Sequence, residues 1–193
     1  ADPNEQMVQG DTPVIQAAWN GHNDIIKLLI AAGANANKAK RDGSTALQLA
    51  VIRHQHDTVG LLLEQPNVDR ALHNTQGNSA VHLACNVGCR QALEMLIVLA
   101  VEKRGTKKSD DIHKLLRQKN EGGMAPLHLA AYNGHDELVR IILSTCDTLS
   151  EKQELANMRT MPGWTALHAA VERGFLPVVT VLLEEGLADP TAI

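Results

Sequence analysis

Aromatic side chains are almost missing from this chain of 193 residues; two Trp, one Tyr and one Phe make up 2% of it. A core of stacked rings is excluded, so Leu, Ile, Val and Ala must fill the interior. The 44% apolar content is enough for that. Cysteine is scarce as well. Cys85, Cys89 and Cys146 are an odd number, unlike the paired framework of a small secreted domain, and they imply reduced thiols inside a cell. No N-x-S/T sequon occurs, no apolar run reaches membrane-spanning length, and no signal peptide or membrane insertion is expected. Positive charge is not in excess. A formal net charge of −4 gives no general attraction to nucleic acid. Catalytic signatures are missing too: there is no Gly-rich phosphate loop, no H-E-x-x-H and no nucleophile elbow. The chain is therefore expected to be no enzyme and to carry no cofactor.

What is present is repetition. Residues 122–143 predict a short helix, a tight turn and a second helix. Pro126 can open the first helix because its missing N–H falls where no helical bond is made. Leu127, Leu129, Ala130 and Ala131 follow, and the two alanines let another helix approach closely. Gly134 supplies left-handed backbone for the turn. Leu138, Val139, Ile141, Ile142 and Leu143 then recur at helical spacing. One such unit is too small to bury its own apolar face, so it needs copies. Aligned on Ala125, the counterparts are Thr12, Thr45, Ser79 and Thr165, with steps of 33, 34, 46 and 40 residues. Nine residues after each anchor stand Gly21, His54, Gly88, Gly134 and Gly174. His54 in a left-handed turn is expected to carry strain.

The repeated residues are Thr12-Pro13, Thr45-Ala46-Leu47, Val81-His82-Leu83-Ala84, Pro126-Leu127-His128-Leu129-Ala130-Ala131 and Thr165-Ala166-Leu167-His168-Ala169-Ala170. This T-P-L-H-x-A chemistry at a period near 33 resembles the ankyrin-repeat family. Gly33-Ala34-Asn35-Ala36-Asn37 resembles that family's G-A-D-V-N. The resemblance implies an all-α solenoid of five helix-turn-helix repeats joined by β-hairpin-like loops. The repeats are expected at about 9–38, 39–71, 72–98, 120–145 and 160–190, in one array over 9–190. Residues 1–8 are polar lead-in, with Ala1-Asp2-Pro3 set aside, and 191–193 are a truncated tail. Two stretches exceed the period, about 99–119 and 146–159. The first is rich in Lys and Arg, and Ser109 is placed as the cap of a short helix with Ile112, Leu115 and Leu116 on one face. The second offers a short helix over 150–155. The last repeat ends in Gly186 and is apolar where a sixth would stack, so a longer protein is expected, or a tail over 187–193 covering that face.

His82, His128 and His168 occupy the family's T-P-L-H place, where the ring bonds nearby backbone, so they are expected to be structural. His82, Cys85 and Cys89 share a zinc-ligand chemistry, but Gly88 interrupts their face and a fourth ligand is missing; His54-x-His56 offers less. No metal is assigned. The basic stretch is expected to be a solvated loop in preference to an import or phosphate-binding patch.

In ankyrin proteins partners meet the hairpin tips and the exposed side of the first helix. Carried onto this sequence, that gives Trp19, Arg41, Asp42, Ile52, Arg53, Gln76, Asn78, Asn86, Tyr132, Asn133, Met161, Trp164, Glu172 and Arg173. Three of the four aromatics fall in this set, and aromatics with Arg dominate interface energetics. The competing role for Trp19 and Trp164 is to plug neighbouring hairpins. The expected function is a non-catalytic module that binds a protein partner in the cytoplasm or nucleus. A narrower resemblance lies in residues 82–89, HLACNVGC, which are similar to a run in inhibitors of NF-κB and imply masking of a transcription factor. A third reading is the substrate-recruiting part of a ubiquitin ligase or other multidomain enzyme.

Overall fold

A computed structural model describes residues 2–102 and 108–185. Lys103, Arg104, Thr106 and Lys107 of the basic stretch lie outside the described residues, as do Gly186 and the tail over 187–193. Five helix pairs follow one another: α1 (Pro13–Asn20) with α2 (Asn23–Ala31), α3 (Ala46–Ile52) with α4 (His56–Glu64), α5 (Ala80–Val87) with α6 (Arg90–Glu102), α8 (Pro126–Tyr132) with α9 (Asp136–Ser144), and α11 (Ala166–Arg173) with α12 (Leu176–Glu184). Two further helices, α7 (Lys108–Arg117) and α10 (Leu149–Ala156), sit between the pairs. No strand occurs among the described residues. This is an all-α repeat solenoid.

Local chemistry sets the helix ends. Thr12 caps α1, its Oγ1 accepting from Ile15 N at 3.3 Å, with Pro13 at the first helical position. Thr45 and Thr165 cap α3 and α11 in the same way. Left-handed Gly21, Gly88 and Gly174 close α1, α5 and α11, whereas the turn after α3 runs through His54 at φ 54°.

The pairs stack into two rows. First helices contact first helices through α1, α3, α5, α8 and α11, and second helices do the same through α2, α4, α6, α9 and α12. Ala46, Ala50, Ala80, Ala84, Ala130 and Ala170 are fully buried between first helices, where their size permits close approach. Ile26, Val59, Leu62, Leu93, Leu96, Val139, Ile142, Val181 and Leu182 fill the space behind them. Among the described residues these aliphatics form one continuous cluster from repeat to repeat. The excess residues add helices at one place in the unit, after a second helix. Ile112, Leu115 and Leu116 of α7 are buried, with α7 against α6 and α8, while α10 packs on α9. Since α7 already includes Lys108, Ser109 lies inside the helix instead of capping it.

Candidate functional site

Three of the five first helices, α3, α5 and α8, carry a polar side chain three residues after the anchor that reaches the chain leading into the next repeat. The Thr45 N–H donates to Gln48 Oε1 at 3.0 Å, and Gln48 Nε2 donates to the carbonyls of Leu72 at 2.7 Å and Asn78 at 3.1 Å. His82 does the same in the next repeat. Its Nδ1 accepts from the Ser79 N–H at 3.3 Å, and its Nε2 donates to the Gln118 carbonyl at 3.1 Å. His128 accepts from Ala125 N at 3.2 Å and donates to the Met158 carbonyl at 2.9 Å. Ala125 has no side-chain acceptor, so His128 alone serves that end of α8. Burial, partly offset by the bond to Gln118, pushes the His82 imidazole down to about 4, and burial lowers His128 too. Both rings are neutral and structural, and neither is poised as a general base.

The loops between repeats close as narrow hairpins: Lys40 N–H to Ser44 O, Asn74 N–H to Asn78 O, Asn120 N–H to Met124 O and Thr160 N–H to Trp164 O, all at 2.8–3.0 Å. Their tips are joined through backbone. Thr75 N–H donates to Asp42 O at 2.9 Å, Glu121 N–H to Gln76 O at 3.0 Å and Met161 N–H to Gly122 O at 3.4 Å. Gly77 makes this approach possible, since a Cβ there would lie 2.7 Å from Glu121 N. Nothing in the sequence reading anticipated that ladder, yet its signal is present: Gly10, Gly43, Gly77, Gly123 and Gly163 each stand two residues before an anchor.

The residues expected to face a partner fall into three groups. At the far ends of the first helices, side chains pair across repeats. Arg53 stacks over the Trp19 ring at 4.7 Å and Arg173 over the Tyr132 ring at 4.9 Å, and Asn133 Nδ2 donates to Asn86 Oδ1 at 3.2 Å. Glu172 is exposed beside Arg173, and Ile52 is half-buried against the core. At the hairpins, Asp42 accepts from the Ser44 N–H and pairs with Lys40 at 3.3 Å. Partial burial opposes ionisation of Asp42, but those bonds prevail and hold its carboxyl below the usual range. Arg41 and Gln76 are exposed at the tips. Asn78 is engaged sideways, accepting from Asn120 Nδ2 at 2.9 Å. Between these groups lies a cleft of about 430 Å³. It brings Tyr132 and Trp164, each 39% exposed, together with Met124, Leu129, Pro162 and Ala169. Met161, in sequence between the lining residues Thr160 and Pro162, is 79% exposed. Leu129 and Ala169 were not anticipated as lining, although each lies three residues before Tyr132 or Glu172 on the same helical face.

The zinc-type trio His82, Cys85 and Cys89 is not assembled. Both nitrogens of His82 are occupied, and Cys85 is fully buried, its thiol pushed up by that burial. Cys89 turns to another repeat, its Sγ 3.4 Å from His56 Nε2. In the described part of the basic stretch, Arg117 lies 3.9 Å from Glu154 and Lys119 Nζ donates to the Arg159 carbonyl at 2.7 Å. These cations tie one inserted region to the other.

Three overlapping matches to a family model of ankyrin repeats (3 copies) cover residues 14–107, 66–150 and 97–193. The chain belongs to the ankyrin-repeat family. Its relatives differ widely in kind. Human transient receptor potential cation channel subfamily A member 1 is 29% identical over 178 residues, 92% of this chain and 15% of that protein. A probable E3 ubiquitin-protein ligase of Oryza sativa subsp. japonica, XBOS32, is 31% identical over 151 residues, 69% of this chain and 30% of that protein. NF-kappa-B inhibitor alpha of Sus scrofa is 35% identical over 100 residues, 52% of this chain and 29% of that protein. The ankyrin array thus spans less than a third of each of these three. Ankyrin repeats are non-catalytic protein-interaction modules, and this array is one of them. No helix among its described residues is long and apolar enough to cross a membrane.

Proposed function

We propose that the ankyrin array binds an intracellular protein partner along the hairpin tips and first helices, with Tyr132 and Trp164 as the central anchors. The observation that carries this reading is the shared apolar cleft of those two rings, flanked by Arg173 over Tyr132. Aromatic rings in a pocket with an adjacent Arg are the composition of an interface hot spot. The helix rows and the hairpin ladder hold the cleft in place before binding, which lowers the ordering cost. Trp19, Arg41, Asp42, Arg53, Gln76, Asn86, Asn133, Met161 and Glu172 extend the surface, with Ile52 and Asn78 as its supports. We take 9–190 as one module, with repeats at about 9–38, 39–71, 72–98, 120–145 and 160–190, working in the cytoplasm or nucleus.

The test is affinity capture with the whole chain, identification of the partner, and titration against variants. Tyr132→Ala and Trp164→Ala should each weaken binding at least roughly tenfold, about 1.4 kcal/mol, with little change in thermal midpoint. Arg140→Ala on α9 should leave affinity unaltered, since its ion pair with Glu185 lies on the opposite row. If Trp164→Ala unfolds the chain while the folded fraction binds normally, Trp164 is a plug and the assignment fails.

A narrower reading is favoured by residues 82–89 and by the similarity to NF-kappa-B inhibitor alpha. On it, the partner is an NF-κB dimer, and direct titration with purified dimer decides it. The similarity to XBOS32 supports instead a substrate-recruiting role within a larger enzyme.

A further inference from the structure

The turns between paired helices seat on one another along the stack. The residue after each turn lies against the turn of the preceding repeat: Gln55 on Gly21, His135 on Gly88 and Phe175 on Gly134. At the remaining junction the turn residue is His54 and the residue after the next turn is Cys89. His54 is the only non-glycine residue with positive φ among the described residues, and it remains exposed. Packing does not account for a side chain held there at the cost of backbone strain, whereas recruitment of that side chain to a site does. His56, at the start of α4, completes the group. Its ring meets that of His54 edge-on with centroids 6.2 Å apart, and its Nε2 is 3.4 Å from the buried Cys89 Sγ. One ligand atom from each of His54, His56 and Cys89 lies within 4.8 Å of the others.

We propose that His54, His56 and Cys89 bind a zinc-class divalent ion across the junction of the second and third repeats, leaving one coordination position to solvent. Imidazole nitrogen and thiolate sulfur suit Zn²⁺, and tetrahedral bonds to them put ligand atoms about 3.3–3.6 Å apart. Cys89 and His56 already have that spacing. The remaining closure, from 4.8 Å to about 3.3 Å and so at most about 1.5 Å, falls on the exposed His54 side chain. Binding replaces the Cys89 thiol proton, which leaves to solvent, and changes no oxidation state. Three ligands from two repeats make the ion a clasp between them.

The experiment titrates the whole purified chain with ZnCl₂ by calorimetry, with Mg²⁺ and Ca²⁺ as controls that prefer oxygen ligands, and with Co²⁺ as a spectroscopic probe. One equivalent of Zn²⁺ should bind and raise the thermal midpoint, and the Co²⁺ complex should show a thiolate charge-transfer band in the near ultraviolet. His54→Gly restores the residue used at the other turns, so it should fold at least as well while losing the site. Loss of an outer-shell partner alone weakens metal binding about 10–100-fold, so His54→Gly and Cys89→Ser should each exceed that. No Zn²⁺ binding to the parent chain, a Co²⁺ spectrum without the thiolate band, or undiminished affinity in His54→Gly would each overturn the proposal. In that case His54 with Cys89 is a packing exchange only.

Discussion

Gly77→Ala should loosen the hairpin ladder by an amount that can be separated into two parts. The first is intrinsic. Gly77 sits at φ 73°, and an alanine on left-handed backbone costs about 1–2 kcal/mol. The second is the neighbour. The new Cβ would meet backbone, 2.7 Å from Glu121 N and 3.0 Å from Asn120 Cα, so the two hairpins must part. Parting them breaks the Gln76–Glu121 backbone bond, a net loss of about 1 kcal/mol. The total is about 2–3 kcal/mol. Gly33→Ala isolates the first part, since Gly33 has φ 87° and no atom within 4 Å of the added Cβ. Urea midpoints at constant slope give both values, and hydrogen exchange at the Glu121 amide should quicken only in Gly77→Ala. If the two variants agree to within about 0.3 kcal/mol, the limit of additivity for distant sites, the tips do not couple the repeats.

Leu127 is fully buried and does not line the Tyr132–Trp164 cleft, so Leu127→Ala should cost about 2–5 kcal/mol in the same urea assay. His82 predicts an acid limb. Burial holds its folded value near 4 against about 6.5 when unfolded, so the unfolded chain takes up the proton first. The His82 contribution is complete above about pH 6.5 and disappears as pH falls towards 4, a loss of about 2 kcal/mol from pH 7 to 5; His82→Gln, the residue type at 48, should flatten that slope.

The fold was legible because its determinants are local. Thr12-Pro13, Thr45 and Thr165 announce helix starts, Gly21, Gly88 and Gly174 announce turns, and the period repeats them. The start of α7 was displaced because Ser109 suits a cap, whereas the helix already includes Lys108. In both pairs, Arg53 with Trp19 and Arg173 with Tyr132, the ring stands seven residues after its anchor and the Arg eight residues after the next anchor, but only the stacking distance shows that the rings and cations touch. The interruption at Gly88 was legible, but the partner of Cys89 was not. Spacing along one helix groups it with His82 and Cys85, but left-handed Gly88 redirects the chain and turns it towards the second repeat. Contacts between a turn and the turn beneath it have no fixed separation in sequence.

Gln48, His82 and His128 all point the same way: each is rooted in one repeat and gives its proton to a carbonyl at, or just ahead of, the start of the next. Coupling along the stack is therefore directional. When a repeat opens, the repeat before it keeps a buried donor with no acceptor, while the repeat after it keeps its own anchor contacts intact. Such a defect is costlier on its upstream side. Opening should spread towards the N-terminal repeats more readily than away from them, and a partner gripping the fourth and fifth repeats would then brace the whole column.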